Sequence, residues 1–258
     1  MKIDFHTHGK LSKNVPFSPI YTKKLFVKAK EAGLDALCLT EHFNTLGYQE
    51  IVHYLMEHYE RDGDSLIVEG IRVFIGMEID IKEKGHILVI GIPEEMILLN
   101  NELDPYKEKD SFLSIKELES RLSNYTVLWG GAHPFREGSQ IPSLPEEILR
   151  RMDFMDLNGK DYAIYGKVVE EQVLDFARDL GLPVLAGSDT HQSFQYGCLW
   201  NRFGHELNSV KALKETIREG DYSREILDYI AFKVETASTL KRALKALHAV
   251  GADYVAVL

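Results

Sequence analysis

Short apolar runs alternate along the chain with longer segments whose apolar positions recur at helical spacing. "KIDF" (2–5) opens the series as a strand, and "YTKKLFVKAKEAG" (21–33) follows as a predicted helix that Gly33 would end. "DALCLT" (35–40) reads as a strand and "YQEIVHYLMEHYERDG" (48–63) as a helix. "RVFIGMEIDI" (72–81) and "HILVIGI" (86–92) are strands separated by "KEKG", the pattern of a hairpin. Beyond them come a helix at "SIKELESRLS", with Ser114 as cap and Glu117 at N3, and a strand at "TVLWGGAH". A short helix at "LPEEILRR" and a strand at "FMDLN" continue the alternation. "GKVVEEQVLDFARDLG" is a helix and "PVLAGSD" a strand. The last third reads as helical, with "VKALKETIREG" and "TASTLKRALKALHAVG", and "PEEMILLNNELDPYKEKD" (93–110) reads as irregular.

This alternation argues for a mostly parallel sheet flanked by helices, and its number of units favours a closed barrel over an open sheet. The 258 residues fit one such domain, with a helical part at about 205–258 packed on it. No apolar stretch is long enough to span a membrane. The beginning of the chain lacks the pattern of a signal peptide, and two distant cysteines make no disulfide framework, so a cytoplasmic location is expected. The formal net charge of −10, without a Lys/Arg run, argues against extended nucleic-acid binding and leaves room for a small phosphorylated substrate.

The chemistry sits where the runs end. "KIDF" leads into His6 and His8, whose i, i+2 spacing puts both imidazoles on one side of a strand. "DALCLT" ends at Glu41 and His42, "RVFIGM" delivers Glu78, "TVLWGGA" ends at His133, and "PVLAGS" ends at Asp189 and His191. The C-terminal strand ends of an α/β barrel share one rim, where active sites form. His86 begins a strand, but a hairpin gives it the same parity as Glu78. His53, His58, His205 and His248 fall in helical or loop-like segments and are assigned to surface or packing roles.

In this order, "DFHTH", "LTEH", "GMEI", "GHILVIG", "GAHPFR" and "GSDTH" resemble the motifs of the PHP (polymerase and histidinol phosphatase) family, over roughly residues 1 to 192. The resemblance implies a distorted (β/α)7 TIM-like barrel with a multinuclear metal site at the C-terminal strand ends, and phosphoesterase activity. Carried over by position, His6, His8, Glu78 and Asp189 would hold one ion. Glu78 would bridge to a second, held also by His86 and His133. His42 and His191 would hold a third, where the family often adds a His or Asp at the position of Asn14; an amide there predicts a weak site. Nitrogen and oxygen donors without thiolate suit two or three divalent ions of Mn, Zn or Fe. A hydroxide between two ions would attack phosphorus, with Asp189 or His191 returning a proton to the leaving group. Arg136 and Lys160 would grip phosphate oxygens. A phosphomonoesterase, histidinol-phosphatase-like or acting on nucleotides and other small molecules, is the expected activity.

Two other readings compete. TatD-type and amidohydrolase-like barrels also open with His-x-His, but they leave Glu41-His42 and His86 unexplained. A non-catalytic PHP interaction module would not need nearly every ligand position filled.

Overall fold

The structure, a computed structural model, describes residues 1–256. Its strands are β1 (Lys2–Thr7), β2 (Ala36–His42), β3 (Glu60–Asp62), β4 (Ser65–Val68), β5 (Ile71–Ile81), β6 (Gly85–Gly91), β7 (Val127–Ala132), β8 (Phe154–Asn158), β9 (Val184–Gly187), β10 (Leu199–Phe203) and β11 (Tyr222–Ile226). Seven of them run side by side in the order β1-β2-β5-β6-β7-β8-β9. The ring is nearly closed where β9 returns to β1, through a parallel bridge between Thr7 and Thr190. There the His8 amide donates to the Thr190 carbonyl at 2.9 Å and the Asp189 amide to the His6 carbonyl at 2.7 Å. The fold is thus a distorted TIM-like barrel. β6 is its one reversed member, antiparallel to both β5 and β7. The expected hairpin is present, turning through Lys84 at φ 67.

The helices are α1 (Pro19–Glu31), α2 (Tyr48–His58), α3 (Pro93–Glu102), α4 (Ile115–Leu122), α5 (Glu146–Leu149), α6 (Gly159–Tyr165), α7 (Lys167–Leu180), α8 (Val210–Glu219) and α9 (Ile230–Ala249). Ser114 and Glu117 form the reciprocal capping box at the start of α4.

Three expectations are corrected. Much of residues 93–110 is ordered as α3, because Pro93 starts it and Met96, Leu99, Asn100 and Leu103 recur at helical spacing on its buried side. The helix beginning at Tyr48 stops at His58, and the next residues form the β3–β4 hairpin against β5. The last third is not wholly helical: β10 pairs antiparallel with the start of β1, Lys2 opposite Arg202, and β11 adds outside it.

Aliphatic and aromatic side chains from Ile3, Phe5, Phe74, Leu88, Leu128, Phe154 and Leu185 fill the barrel, and Val210, Leu213 and Ile217 pack with them from α8. Register explains how β1 also feeds the mouth. Asp4 pairs with Leu37 and Thr7 with Leu39, so Phe5 and His6 together stand opposite the single residue Cys38. Such a bulge breaks the alternation of faces. It lets Phe5 fill the interior while His6 and His8, of the other parity, point into the mouth above it.

Candidate metal centre

Glu78, on β5 and buried, is the hub of this mouth. Its Oε2 lies 3.6 Å from His6 Nε2, 3.5 Å from His8 Nε2 and 3.1 Å from His42 Nδ1. Its Oε1 lies 2.8 Å from His86 Nδ1 and 3.0 Å from His133 Nε2. Asp189 joins from beyond β9, with Oδ1 3.4 Å from His8 Nε2. Three groupings have donor atoms close enough to share one ion: His6, His8 and Asp189; Glu78, His86 and His133; and His8, His42 and His191. All eight expected ligands are therefore brought together.

A further set of groups fixes the rings. Asp156 Oδ2 lies 3.2 Å from His6 Nδ1 and accepts from the His133 amide at 3.1 Å. Glu41 Oε1 lies 3.4 Å from His8 Nδ1, and its Oε2 accepts from the Gly9 amide. Asp80 Oδ1 lies 3.0 Å from His86 Nε2. The Lys10 carbonyl lies 3.0 Å from His191 Nδ1, which places the proton on Nδ1 and leaves Nε2 to donate its lone pair. Asp156, Asp80 and Lys10 were not singled out from the sequence. Their alternation within strand or loop looks ordinary, and their partners are remote in the chain. Two ligands, His133 and Asp189, take positive φ, 30° and 55°. Left-handed backbone at non-glycine residues costs energy and is retained where surrounding contacts enforce it.

Burial opposes charge throughout the centre, and neighbouring charges override it at some groups but not at others. Desolvation would raise Glu78 and Asp189, yet both stay well below the usual carboxylate range. The charges of His86 and His6 hold Glu78 down, and Lys160 and Arg136 do so for Asp189. Desolvation would lower His86, but the Glu78 carboxylate carries it up to about 10. His42, by contrast, is pushed down to about 4, chiefly by burial. Burial also keeps His133 and His191 below the ordinary histidine range.

This donor set fits divalent transition ions. It is built of imidazoles and carboxylates, and His6 Nε2, His8 Nε2 and His42 Nδ1 are buried without a hydrogen-bond partner while aimed at shared carboxylates. Buried polar atoms are normally satisfied, and cations converging on such nitrogens would satisfy these.

Arg136 and Lys160 both reach Asp189, Arg136 Nη1 at 3.0 Å and Lys160 Nζ at 2.7 Å. Arg136 also donates from Nε to Asp161 at 3.0 Å and from Nη2 to Asn158 at 2.8 Å. Lys241, half-buried on α9, is held down to about 8 by burial and by the charge of Lys160. The sequence offered no signal for Lys241 beyond its helical spacing. Asn14 is exposed, and among the described residues its side chain bonds neither His42 nor His191, so the expected role of position 14 in the third grouping gives way to His8. His53, His58, His205 and His248 are exposed and outside the centre.

A barrel with a polynuclear donor set at its mouth defines the class. The PHP domain family model matches residues 4–149 and the PHP-associated model residues 170–222, and the chain belongs to the PHP family. No curated protein matches the sequence. Among solved structures, PsfC from Pseudomonas syringae PB-5123 superposes with a TM-score of 0.77 at 21% identity, over 94% of this chain and 98% of that one. Endonuclease Q, in complex with a 27-mer duplex carrying an abasic lesion at the active site, gives 0.63 at 19% identity. The lesion-specific endonuclease Q of Pyrococcus furiosus gives 0.62 at 20% identity. Each likeness covers 87% of this chain, which spans 58% and 57% of those two proteins. These likenesses correct the expectation of a small phosphorylated substrate and no extended nucleic acid. Endonuclease Q, of which this fold makes up part, is seen in complex with duplex DNA. Arg136 and Lys160 both stand at Asp189, a local arrangement that a sum over the chain does not describe.

Proposed function

We propose that the chain is a metal-dependent phosphoester hydrolase whose substrate is a nucleic-acid strand. The observation that carries this reading is the division of Glu78, with one oxygen facing His6, His8 and His42 and the other facing His86 and His133. A carboxylate shared in this way suits adjacent cations held by the three groupings. Bound there, divalent ions would supply Lewis-acid stabilisation and lower the pKa of water towards neutrality.

The protein groups would do the rest. Asp189 is held ionised by Lys160 and Arg136, and His191 spends its Nδ1 proton on the Lys10 carbonyl. Both therefore suit the role of ligand better than that of proton donor. Arg136, fixed by Asp161, Asn158 and Asp189, keeps one N–H on each Nη beside the ligands for a phosphoryl oxygen. Lys160 stands next to it as a cation able to move towards developing charge on the leaving oxygen. Arg136 and Lys160 beside the groupings support an anionic substrate, and the barrel shared with endonuclease Q supports the choice of nucleic acid. The buried free thiols of Cys38 and Cys198 fit a reducing compartment, as in cytoplasm.

The test is incubation of protein loaded with Mn²⁺, Zn²⁺ or Fe²⁺ with end-labelled single-stranded, duplex and abasic duplex oligonucleotides. Metal-dependent strand cleavage or release of a terminal phosphate is expected, abolished by chelation. No product from any substrate with any ion would overturn the reading.

A further inference from the structure

Beside the centre lies a cavity of about 380 Å³ that shares two of its walls, His86 and His133, with the second ligand grouping. Its outer lining comes from three separate segments: Lys82 and Lys84 on the β5–β6 turn, Lys109 and Phe112 before α4, and Arg136 after β7. Resting on the nucleic-acid reading above, we infer that this cavity is a subsite for the nucleotide flanking the reacting phosphate, with its base against Phe112 and its outer phosphate near Lys84 and Lys109.

The volume suits one small ligand moiety, not a duplex. Phe112 is partly buried and braced edge-on by Phe43, with ring centroids 5.8 Å apart, so it offers a base a ring already fixed in place. Lys82, Lys84 and Lys109 are exposed, and among the described residues their ammonium groups have no ion-pair partner. Asp110 and Glu137 also line the cavity, while Asp80 is engaged by His86. The lysines thus slightly outnumber the free acids. An aromatic platform between cations is how single strands are held without sequence readout, by stacking and backbone charge. The cavity also opens directly on His86 and His133, so a nucleotide seated in it is continuous with a phosphate at the centre.

The experiment compares methyl p-nitrophenyl phosphate, whose flanking group is a single methyl, with a single-stranded 15-mer, using the metal-loaded full chain. The variants are Phe112→Leu and the exposed pair Lys84→Gln/Lys109→Gln. Phe112→Leu should raise KM for the 15-mer roughly five- to hundred-fold. The lysine pair should reduce the slope of log KM against log salt by about 1.4. Turnover of the aryl diester should match the unsubstituted protein in both. An unchanged 15-mer KM and salt slope, with aryl ester turnover intact, would overturn the subsite alone. Aryl ester turnover without any 15-mer turnover in the unsubstituted protein would overturn the nucleic-acid reading, and the subsite with it. The lysine variants keep the test decisive if Phe112→Leu fails to fold.

Discussion

Asp156 Oδ2 lies 3.2 Å from His6 Nδ1 although the two residues are 150 positions apart, and the same oxygen accepts from the His133 amide at 3.1 Å. One buried carboxylate therefore orients the His6 ring and pins the backbone of His133, joining two of the groupings. Asp156→Asn keeps the shape but removes the charge and one acceptor. Metal affinity or turnover should fall by about 10- to 100-fold, the usual effect of losing a group that orients a ligand. Metal content after dialysis, measured alongside kcat, checks this, and unchanged values would leave Asp156 with a folding role only.

Glu78→Ala should be the most damaging single ligand change. It removes the carboxylate facing five imidazoles, so occupancy should drop at more than one ion together. Elemental analysis should find at least two equivalents in the parent protein and a loss of more than one in the variant. Loss of a single equivalent would show that Glu78 serves one ion.

Gly187 ends β9 under the first ligand. A Cβ there would stand 2.3 Å from the His6 Cβ and 2.7 Å from Asp156 Oδ1. Neither neighbour is free to retreat, because β1 and β8 are both interior strands. Gly187→Ala should cost roughly 1–3 kcal/mol by overpacking and should also weaken metal binding. Chemical denaturation of the chelated protein separates the stability loss from the ligand effect. Parent-like stability and metal content would contradict the packing described.

Metal loading should release protons. In the metal-free protein His86 is carried up to about 10 against its desolvation, chiefly by Glu78, and His6 and His8 are also raised, by Glu78 and Asp189 among others. A histidine raised above its unfolded value of 6.5 adds stability below that pH, and loses it as pH climbs through about 10. An ion must displace those protons, so apparent affinity should rise with pH across that window. Calorimetric titration in buffers of different ionisation enthalpy counts them. A buffer-independent heat would mean that the ligands are already neutral.

Much of this centre was legible because its ligands end apolar runs, and a barrel places such ends on one rim. The parity shared by Glu78 and His86 across a hairpin was legible for the same reason. The bulge that turns His6 inward was not, since "DFHTH" alternates regularly and the extra residue exists only relative to β2. β10 and β11 escaped notice because "LWNRF" and "YSREI" carry polar residues on both sides and lie between strong helical patterns. Asp156 looked like any strand residue, and only folding brings it to His6. The acidic net charge misled about partners because a sum over the chain says nothing of Arg136 and Lys160 standing together at Asp189.

The main chains of β1 and β9 meet at one bridge with two amide bonds, at His6, His8 and Asp189, while Asp4 and Asn201 tie the two edges lower down through their side chains. An ion held by these three would straddle the joint as a rivet straddles a seam. Withdrawing it would leave the main-chain joint to its two amide bonds and the side-chain ties beside it. The amides of His8 and Asp189 should then exchange with solvent hydrogen markedly faster in chelated protein, while β5 and β6, laced along their whole length, should scarcely respond.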